Sequence, residues 1–420
     1  MNTNIVEIPK EGTCSVTAPK KLRGEYVLPA SKSISNRALI INALSGGDNI
    51  LSNLSACDDT DVLVRAFQGD LKEVDIMAAG TAMRFMTAFL SITPGRHIIT
   101  GTQRMRNRPI KILVDALTEL GANIHYLDKC GYPPLEIQGK DLSGSIVGIS
   151  GQVSSQYISA LMMIAPMLKR GLHLHLLGQV VSMPYIKMTA ELMKLFGATV
   201  EHSEAQTLHI PHTGYISRPY SIESDWSAAS YWYEMMALTS DEEASVRLSN
   251  LHAVSLQGDA KIVDLFAQLG VKSVQEGDTM ILSKEKIKVR FMEENLLEIP
   301  DMAQTLVVSC CLLEIPFRFT GLQSLKIKET DRIEALIIEL AKLGYEVEQK
   351  DDSILHWEGV HCEKITDPVI ATYHDHRMAM AFAPVSMCIG SIKIANMEVV
   401  SKSYPQYWQH LSELGFSIKG

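Results

Sequence analysis

At 420 residues, 46 % hydrophobic and 21 % charged, the chain has an ordinary globular composition and exceeds one ordinary core, so two domains are expected. A formal charge of −9 excludes the broad basic face of a nucleic-acid binder, but not a local cationic pocket for an anionic substrate. Seven cysteines, odd in number and without CxxC spacing, fit reduced thiols in a cytosol better than a disulfide framework or a zinc site.

The chain start, "MNTNIVEIPKEG", has no basic region followed by an apolar run, so no secretory signal is read there. No apolar run further on reaches about 18 residues, so no membrane span is expected. The first predicted helix, "NRALIINALS", is apolar nearly all round, and "VLVRAFQ" ahead of Gly69 reads as a second, amphipathic one. The same pair then recurs along the chain. "TAMRFMTAFL" precedes "LTELGANIHYL", "SSQYISALMMIA" precedes "MKLFGATVEH", and "SAASYWYEMMAL" precedes "AQLGVKSVQ". "DMAQTLVVSCCL" precedes "AKLGYEVEQ", and "RMAMAFAPVSMC" precedes "SELGFSIKG".

The first member of each pair is apolar on every face, which predicts a buried helix. The second is an amphipathic helix, a glycine stop and a short alternating strand. Ile262, Leu265, Phe266 and Leu269 give the i, i+3, i+4, i+7 stripe ahead of Gly270, and Ile333, Leu336, Ile337 and Leu340 repeat it ahead of Gly344. Gly121, Gly197, Gly270, Gly344 and Gly415 recur every 70 to 76 residues or so, where a left-handed helix stop disfavours a Cβ. Gly69 is a weaker sixth. The fold class predicted is α/β (α+β): six units, three to a domain, with sheets packed around the buried helices. The twenty methionines read as core filler on those helices.

Every buried helix opens on polar residues: "SKSISNR", "AGTAMR", "SSQ", "SDWS", "PD" and "HDHR". Such starts leave backbone N–H groups that side-chain caps or bound anions satisfy. Cations crowd the same places: Lys32, Arg37, Arg84, Arg108, Lys328, Arg332, Arg377 and Lys402. Converging without a ligand, like charges about 4 Å apart would repel by roughly 4 kcal/mol per pair, so the set points to polyanions. Asp301 and Glu329 lie among these cations and are candidates for proton transfer, with salt-bridge filler the alternative. The run "YHDHR" offers His374 and His376 as metal ligands only if a third exists. None has plausible spacing and Arg377 would repel a cation, so an anion clamp at the helix start, with His376 a nearby donor or simply a satisfied core histidine, is the better reading.

Ten stretches taken in order carry a resemblance. They are "LPASKSISNRAL", "AGTAMR", "NRPIKILVDAL", "VSSQYISALMM", "VSMPYI", "SDWSAASY", "IPDMAQT", "KETDRI", "YHDHRMAMAF" and "SKSYPQYW", spanning residues 28 to 408 or so. Together they resemble the 5-enolpyruvylshikimate-3-phosphate synthase family of enolpyruvyl transferases. The resemblance implies two similar domains of three βαβαββ-type units, an inside-out α/β barrel arrangement, over 30–223 and over 1–29 with 224–420. It also implies an active site in the cleft between them.

The implied reaction moves the enolpyruvyl group of phosphoenolpyruvate to the 5-hydroxyl of shikimate 3-phosphate by addition and elimination, with no cofactor and no metal. Carried over residue by residue, Lys32, Ser33, Arg37, Ser154, Ser155, Gln156, Ser182, Tyr185, Asp301, Ser324 and Lys328 would hold shikimate 3-phosphate. Lys32, Gly80, Thr81, Arg108, Gln156, Arg332, Arg377 and Lys402 would hold phosphoenolpyruvate. The resemblance makes Asp301 the base at the 5-hydroxyl and gives Glu329 the methylene proton, with Lys32, His376 and Lys402 completing the catalytic set. It further implies a cytoplasmic monomer in chorismate and aromatic amino acid biosynthesis, with no nucleic-acid or membrane partner.

Four positions depart from the family pattern: Ala30 for a common glycine, Ala78 for asparagine, Phe85 for proline and Ser324 for asparagine. None removes a charged group, and they leave glyphosate sensitivity open. Two alternatives stand beside this reading. One is the UDP-N-acetylglucosamine enolpyruvyl transferase, which uses a loop cysteine for which Cys130 in "DKCGYPPL" is placed. The other is a non-catalytic anion-binding paralogue.

Overall fold

A computed structural model describes residues 11–47, 51–152, 154–203 and 206–420. Residues 1–10 of the chain start that was read for a signal lie outside these residues. Two compact units form: one is Ala30–Ile222, and the other combines the described residues up to Pro29 with Glu223–Gly420. Glu223, expected at the end of the first unit, falls in the second. There its carboxylate accepts hydrogen bonds from Ser255 Oγ and, at 2.8 Å, from Gln257 Nε2.

The discontinuous unit is closed by strand pairing. Cys14–Thr17 lies between Ser391–Ile394 and Ser417–Lys419, antiparallel to both, and Arg23–Val27 pairs in parallel with Ser245–Ser249. Among the described residues this unit holds three four-stranded sheets and the continuous unit two, plus the short parallel pair Leu51–Ser52 with Tyr220–Ser221. All five four-stranded sheets share one pattern: a parallel pair, then two antiparallel neighbours. A parallel pair needs a crossover, and the apolar helices supply it, as Gly80–Ile92 does between Glu73–Asp75 and Gly95–Thr100.

The apolar helices are buried as their composition demands. All seven residues of His376–Phe382 are buried, as are twelve of the thirteen in Trp226–Leu238. Five of the six glycine stops take the left-handed conformation, with φ between 86° and 105°. Gly69 does not: its φ is −91° and the chain leaves helix Asp58–Gln68 extended, so this stop does not need a glycine.

Four of the six buried helix starts are capped by side chains. Ser31 accepts from Ile34 N, Ser154 from Gln156 N, Asp225 from Ser227 N and Ala228 N, and Asp375 from Arg377 N. Helix Gly80–Ile92, preceded by Ala79, and helix Ala303–Leu312 have no side-chain cap among the described residues.

Candidate active site

In the discontinuous unit the predicted cations converge on shared carboxylates. Arg332 opens helix Arg332–Lys342, is 2 % exposed and reaches three acids. Its Nε donates to Asp375 Oδ2 at 2.7 Å, Nη1 to Asp301 Oδ1 at 2.8 Å and Nη2 to Glu329 Oε2 at 3.0 Å. Lys328 Nζ lies 3.2 Å from Asp301 Oδ1, and Arg377 Nη2 lies 3.2 Å from Asp301 Oδ2. Lys402 Nζ donates to Glu329 Oε1 at 2.7 Å. Four cations thus interleave with three carboxylates, and the repulsion expected of the cations alone is offset within the protein.

Local structure does the placing. Asp301 sits on the tight turn Pro300–Met302, which leads into helix Ala303–Leu312. Lys328 and Glu329 precede a helix start that Asp331 caps by accepting from Ile333 N and Glu334 N. Asp375 caps helix His376–Phe382, accepting from Arg377 N at 2.9 Å while it also receives Arg332. One buried carboxylate therefore holds the Arg332 guanidinium and fixes the backbone that carries Arg377. The sequence reading assigned Asp375 no role. Its capping was legible from "HDHR", but its pairing with a residue 43 positions earlier was not.

Burial by itself would raise the Asp301 pKa. Lys328, Arg377 and Arg332 outweigh that and the repulsion of Glu329, and hold the carboxyl well below its usual range. For Arg332, burial disfavours the charge but Asp375, Glu329 and Asp301 more than restore it. His376 is buried with Nδ1 3.7 Å from Asp375 Oδ1, too long for a hydrogen bond. Ser324 lies on the turn Gln323–Ile327, which packs against the Asp301 turn; its hydroxyl is buried and has no hydrogen-bond partner among the described residues.

The continuous unit brings together a second set. Arg37, 2 % exposed, donates from Nε to Thr189 Oγ1 at 2.7 Å, from Nη1 to the Ser33 carbonyl at 3.0 Å and from Nη2 to Ser159 Oγ at 3.0 Å. Its guanidinium carbon is 5.2 Å from the Phe85 ring centre and 5.8 Å from that of Tyr185. No carboxylate pairs with it among the described residues, and burial pushes its pKa down to about 10, so it remains a cation at neutral pH. Lys32 is held by Asp59 Oδ2 at 3.3 Å.

Gln156 Nε2 donates to Thr81 Oγ1 at 3.0 Å, which ties the Ser154–Ser155–Gln156 helix start to that of Gly80–Ile92. A Cβ on Gly80 would stand 2.4 Å from Arg108 Nη1, so glycine is what lets that guanidinium lie against the uncapped helix start. Ser182 precedes helix Met183–Leu195 in the left-handed conformation at φ 54°, an uncommon geometry for serine. Among the described residues, no group of three or more His, Cys, Asp or Glu is placed to hold a metal ion.

The family model for EPSP synthase (3-phosphoshikimate 1-carboxyvinyltransferase) matches residues 16–74 and 65–411. The 3-phosphoshikimate 1-carboxyvinyltransferase of Bacteroides fragilis is 54 % identical, over 96 % of this chain and 98 % of its own.

The chain belongs to the EPSP synthase family.

The Histophilus somni enzyme of the same name is 35 % identical over 94 % of this chain and 97 % of its own. A solved EPSP synthase from Acinetobacter baumannii shares the fold, with a TM-score of 0.76 over 97 % of this chain and all of its own, at 20 % identity. Among the departures from the EPSP synthase pattern, Ala78 is exposed and Ala30 is buried. Phe85 is fully buried against Arg37, a contact that sequence reasoning missed and that only packing creates. Thr189 and Ser159, which hold Arg37, were missed as well; as small polar residues inside apolar helices they were the available signal.

Proposed function

We propose that the protein transfers the 1-carboxyvinyl group of phosphoenolpyruvate to the 5-hydroxyl of shikimate 3-phosphate and releases phosphate, with no metal or other cofactor. Family membership supports the reaction. The observation that carries the chemistry is Asp301, a buried carboxylate between Lys328, Arg332 and Arg377.

In this reading Lys32, Ser33, Arg37, Ser154, Ser155, Gln156, Ser182, Tyr185, Ser324 and Lys328 hold shikimate 3-phosphate together with Asp301. Lys32, Gly80, Thr81, Arg108, Gln156, Arg332, Arg377 and Lys402 hold phosphoenolpyruvate. Asp301, bound by three cations, is a poor base while the site is empty. The phosphate and carboxylate of the substrate compete for those cations, relax their pull and raise the basicity of Asp301 as substrate arrives. Asp301 then takes the 5-hydroxyl proton as the oxygen adds to the C2 carbon of phosphoenolpyruvate. Glu329, held by Lys402 and Arg332 in the empty site, takes up a proton as substrate anions draw those cations away. It delivers that proton to the methylene carbon and recovers it from the methyl group as phosphate leaves, while the proton on Asp301 passes to the departing phosphate. Lys32 and Lys402 neutralise charge developing on the phosphate, and His376 lines the same helix start. We take the protein to be a cytoplasmic monomer. Light scattering coupled to size exclusion checks the monomer.

The deciding experiment is phosphate release from purified protein and phosphoenolpyruvate in chelator, with and without shikimate 3-phosphate. Release that requires shikimate 3-phosphate supports the reading. Silence with calorimetric binding of shikimate 3-phosphate indicates a non-catalytic paralogue, and silence without binding refutes the acceptor. Cys130 is an exposed loop thiol, so Cys130→Ala retains turnover here; its loss would favour the UDP-N-acetylglucosamine reaction.

A further inference from the structure

Asp259 is a buried acid that the reaction as proposed does not use. It lies on the turn Gly258–Lys261, is 6 % exposed, and accepts a short hydrogen bond from Ser227 Oγ. Ser227 Oγ stands 3.2 Å from Arg377 Nη2, the same nitrogen that lies 3.2 Å from Asp301 Oδ2. A serine hydroxyl has one proton. Asp259 takes it, so Ser227 presents lone pairs, and not its proton, to the guanidinium. The backbone fixes this geometry, because Ser227 N donates to Asp225 Oδ1 at 2.7 Å at the start of helix Trp226–Leu238.

We propose that Asp259 is a positioning residue for Arg377, acting through the Ser227 hydroxyl. It keeps an acceptor beside Nη2 when phosphoenolpyruvate draws the arginine's other donors away from Asp301. The inference rests on the proposed function, in which Arg377 holds phosphoenolpyruvate. A proton on Asp259 weakens the arrangement: where the carboxylic O–H donates to Ser227 Oγ, one serine lone pair is taken and the serine proton is no longer held away from Arg377, so the acceptor beside Nη2 is weaker. The charged groups facing Asp259 are Asp301, Arg377 and Asp225. Burial and Asp301 push its carboxyl up to about 6 against the opposing pull of Arg377 and Ser227, which places the change within an assayable range.

The test is steady-state kinetics in phosphoenolpyruvate at saturating shikimate 3-phosphate, from pH 5.5 to 8.5, for wild type, Asp259→Asn and Ser227→Ala. The ratio of variant to wild-type KM cancels the ionisation of the substrate itself. At pH 8 both variants are expected to raise KM about five- to tenfold, the size of one ordinary net hydrogen bond, with kcat within twofold. That ratio falls towards one at pH 5.5, where the same interaction is weakened in wild type. A ratio that stays flat with pH, or a KM unchanged at pH 8, overturns the proposal. Where Asp259→Asn does not fold, Ser227→Ala, which deletes one hydroxyl, decides by the same criteria. A wild-type enzyme without shikimate 3-phosphate-dependent phosphate release refutes the proposed function itself, and the inference falls with it.

Discussion

Glu234→Gln is expected to stabilise the protein above neutral pH and leave it nearly unchanged in mild acid. Glu234 lies in the middle of helix Trp226–Leu238, is fully buried, and neither carboxyl oxygen has a hydrogen-bond partner among the described residues. The nearby Tyr407 hydroxyl is already committed to the Met380 carbonyl at 2.8 Å. Burial therefore raises the Glu234 pKa well above its ordinary value, and the folded state keeps the proton. The sign follows from linkage. Below the unfolded pKa of about 4.3 both states are protonated and the residue is neutral to stability. As pH rises the unfolded chain ionises and the folded one does not, so stability falls by about 1.4 kcal/mol per unit until the folded group titrates.

At pH 7 that amounts to at most about 3–4 kcal/mol, a large share of the 5–15 kcal/mol typical of a domain. Glutamine keeps the shape and cannot ionise, so it removes the penalty. Urea unfolding at pH 5 and pH 8, followed by tryptophan fluorescence, reads it: the gain from Glu234→Gln should be larger at pH 8, where it is at most about 5 kcal/mol, than at pH 5, where it is under about 1 kcal/mol. An equal difference at the two pH values would refute the reasoning, because it would mean that Glu234 is already ionised or solvated in the folded protein.

The remaining predictions concern the site. Asp301→Asn should cut kcat by about 10²–10⁴ as the base is lost, while equilibrium binding of phosphoenolpyruvate is retained or tightened because a competing anion is gone; kcat within tenfold of wild type would remove Asp301 from the role. Gly80→Ala should raise the KM for phosphoenolpyruvate with shikimate 3-phosphate affinity unchanged, since the new methyl displaces Arg108; an unaltered KM would show that Arg108 has room to move. Phe85→Leu should weaken shikimate 3-phosphate binding by about 0.5–2 kcal/mol through loss of the ring beside Arg37, read by calorimetry. Phe85→Pro falls at the sixth residue of helix Gly80–Ile92 and should cost about 3 kcal/mol of stability. If Phe85 weakens glyphosate binding, that variant lowers the glyphosate inhibition constant; an unchanged constant sinks the idea.

Much of this protein is readable from its sequence because the information is local. A 3.6-residue apolar period, a glycine at a helix stop, and a serine or aspartate ahead of a helix act within one or two turns, and they predicted the buried and surface helices along the chain. Gly69 shows the limit, since the same letter in the same register ends its helix in an extended conformation. The candidate cations and carboxylates were legible as types at helix starts, and the ten motifs gave them an order.

What the sequence left open was which charge meets which. Arg332 meets Glu329 three residues away, but its pairing with Asp375 and Asp301 follows from how separate turns pack, and no local rule contains that. Apart from the Ser33 carbonyl of its own helix, the neutral acceptors and rings around Arg37 come from three other helices, and Ser227 links Asp259 to Arg377. Strands Cys14–Thr17 and Arg23–Val27 join sheets built from residues beyond 223, because a strand edge is completed by whatever edge the tertiary fold places beside it. The sequence determined the elements and the chemical types at their ends. The tertiary structure alone decided the partners, because electrostatic and packing energies depend on distance in space and not along the chain.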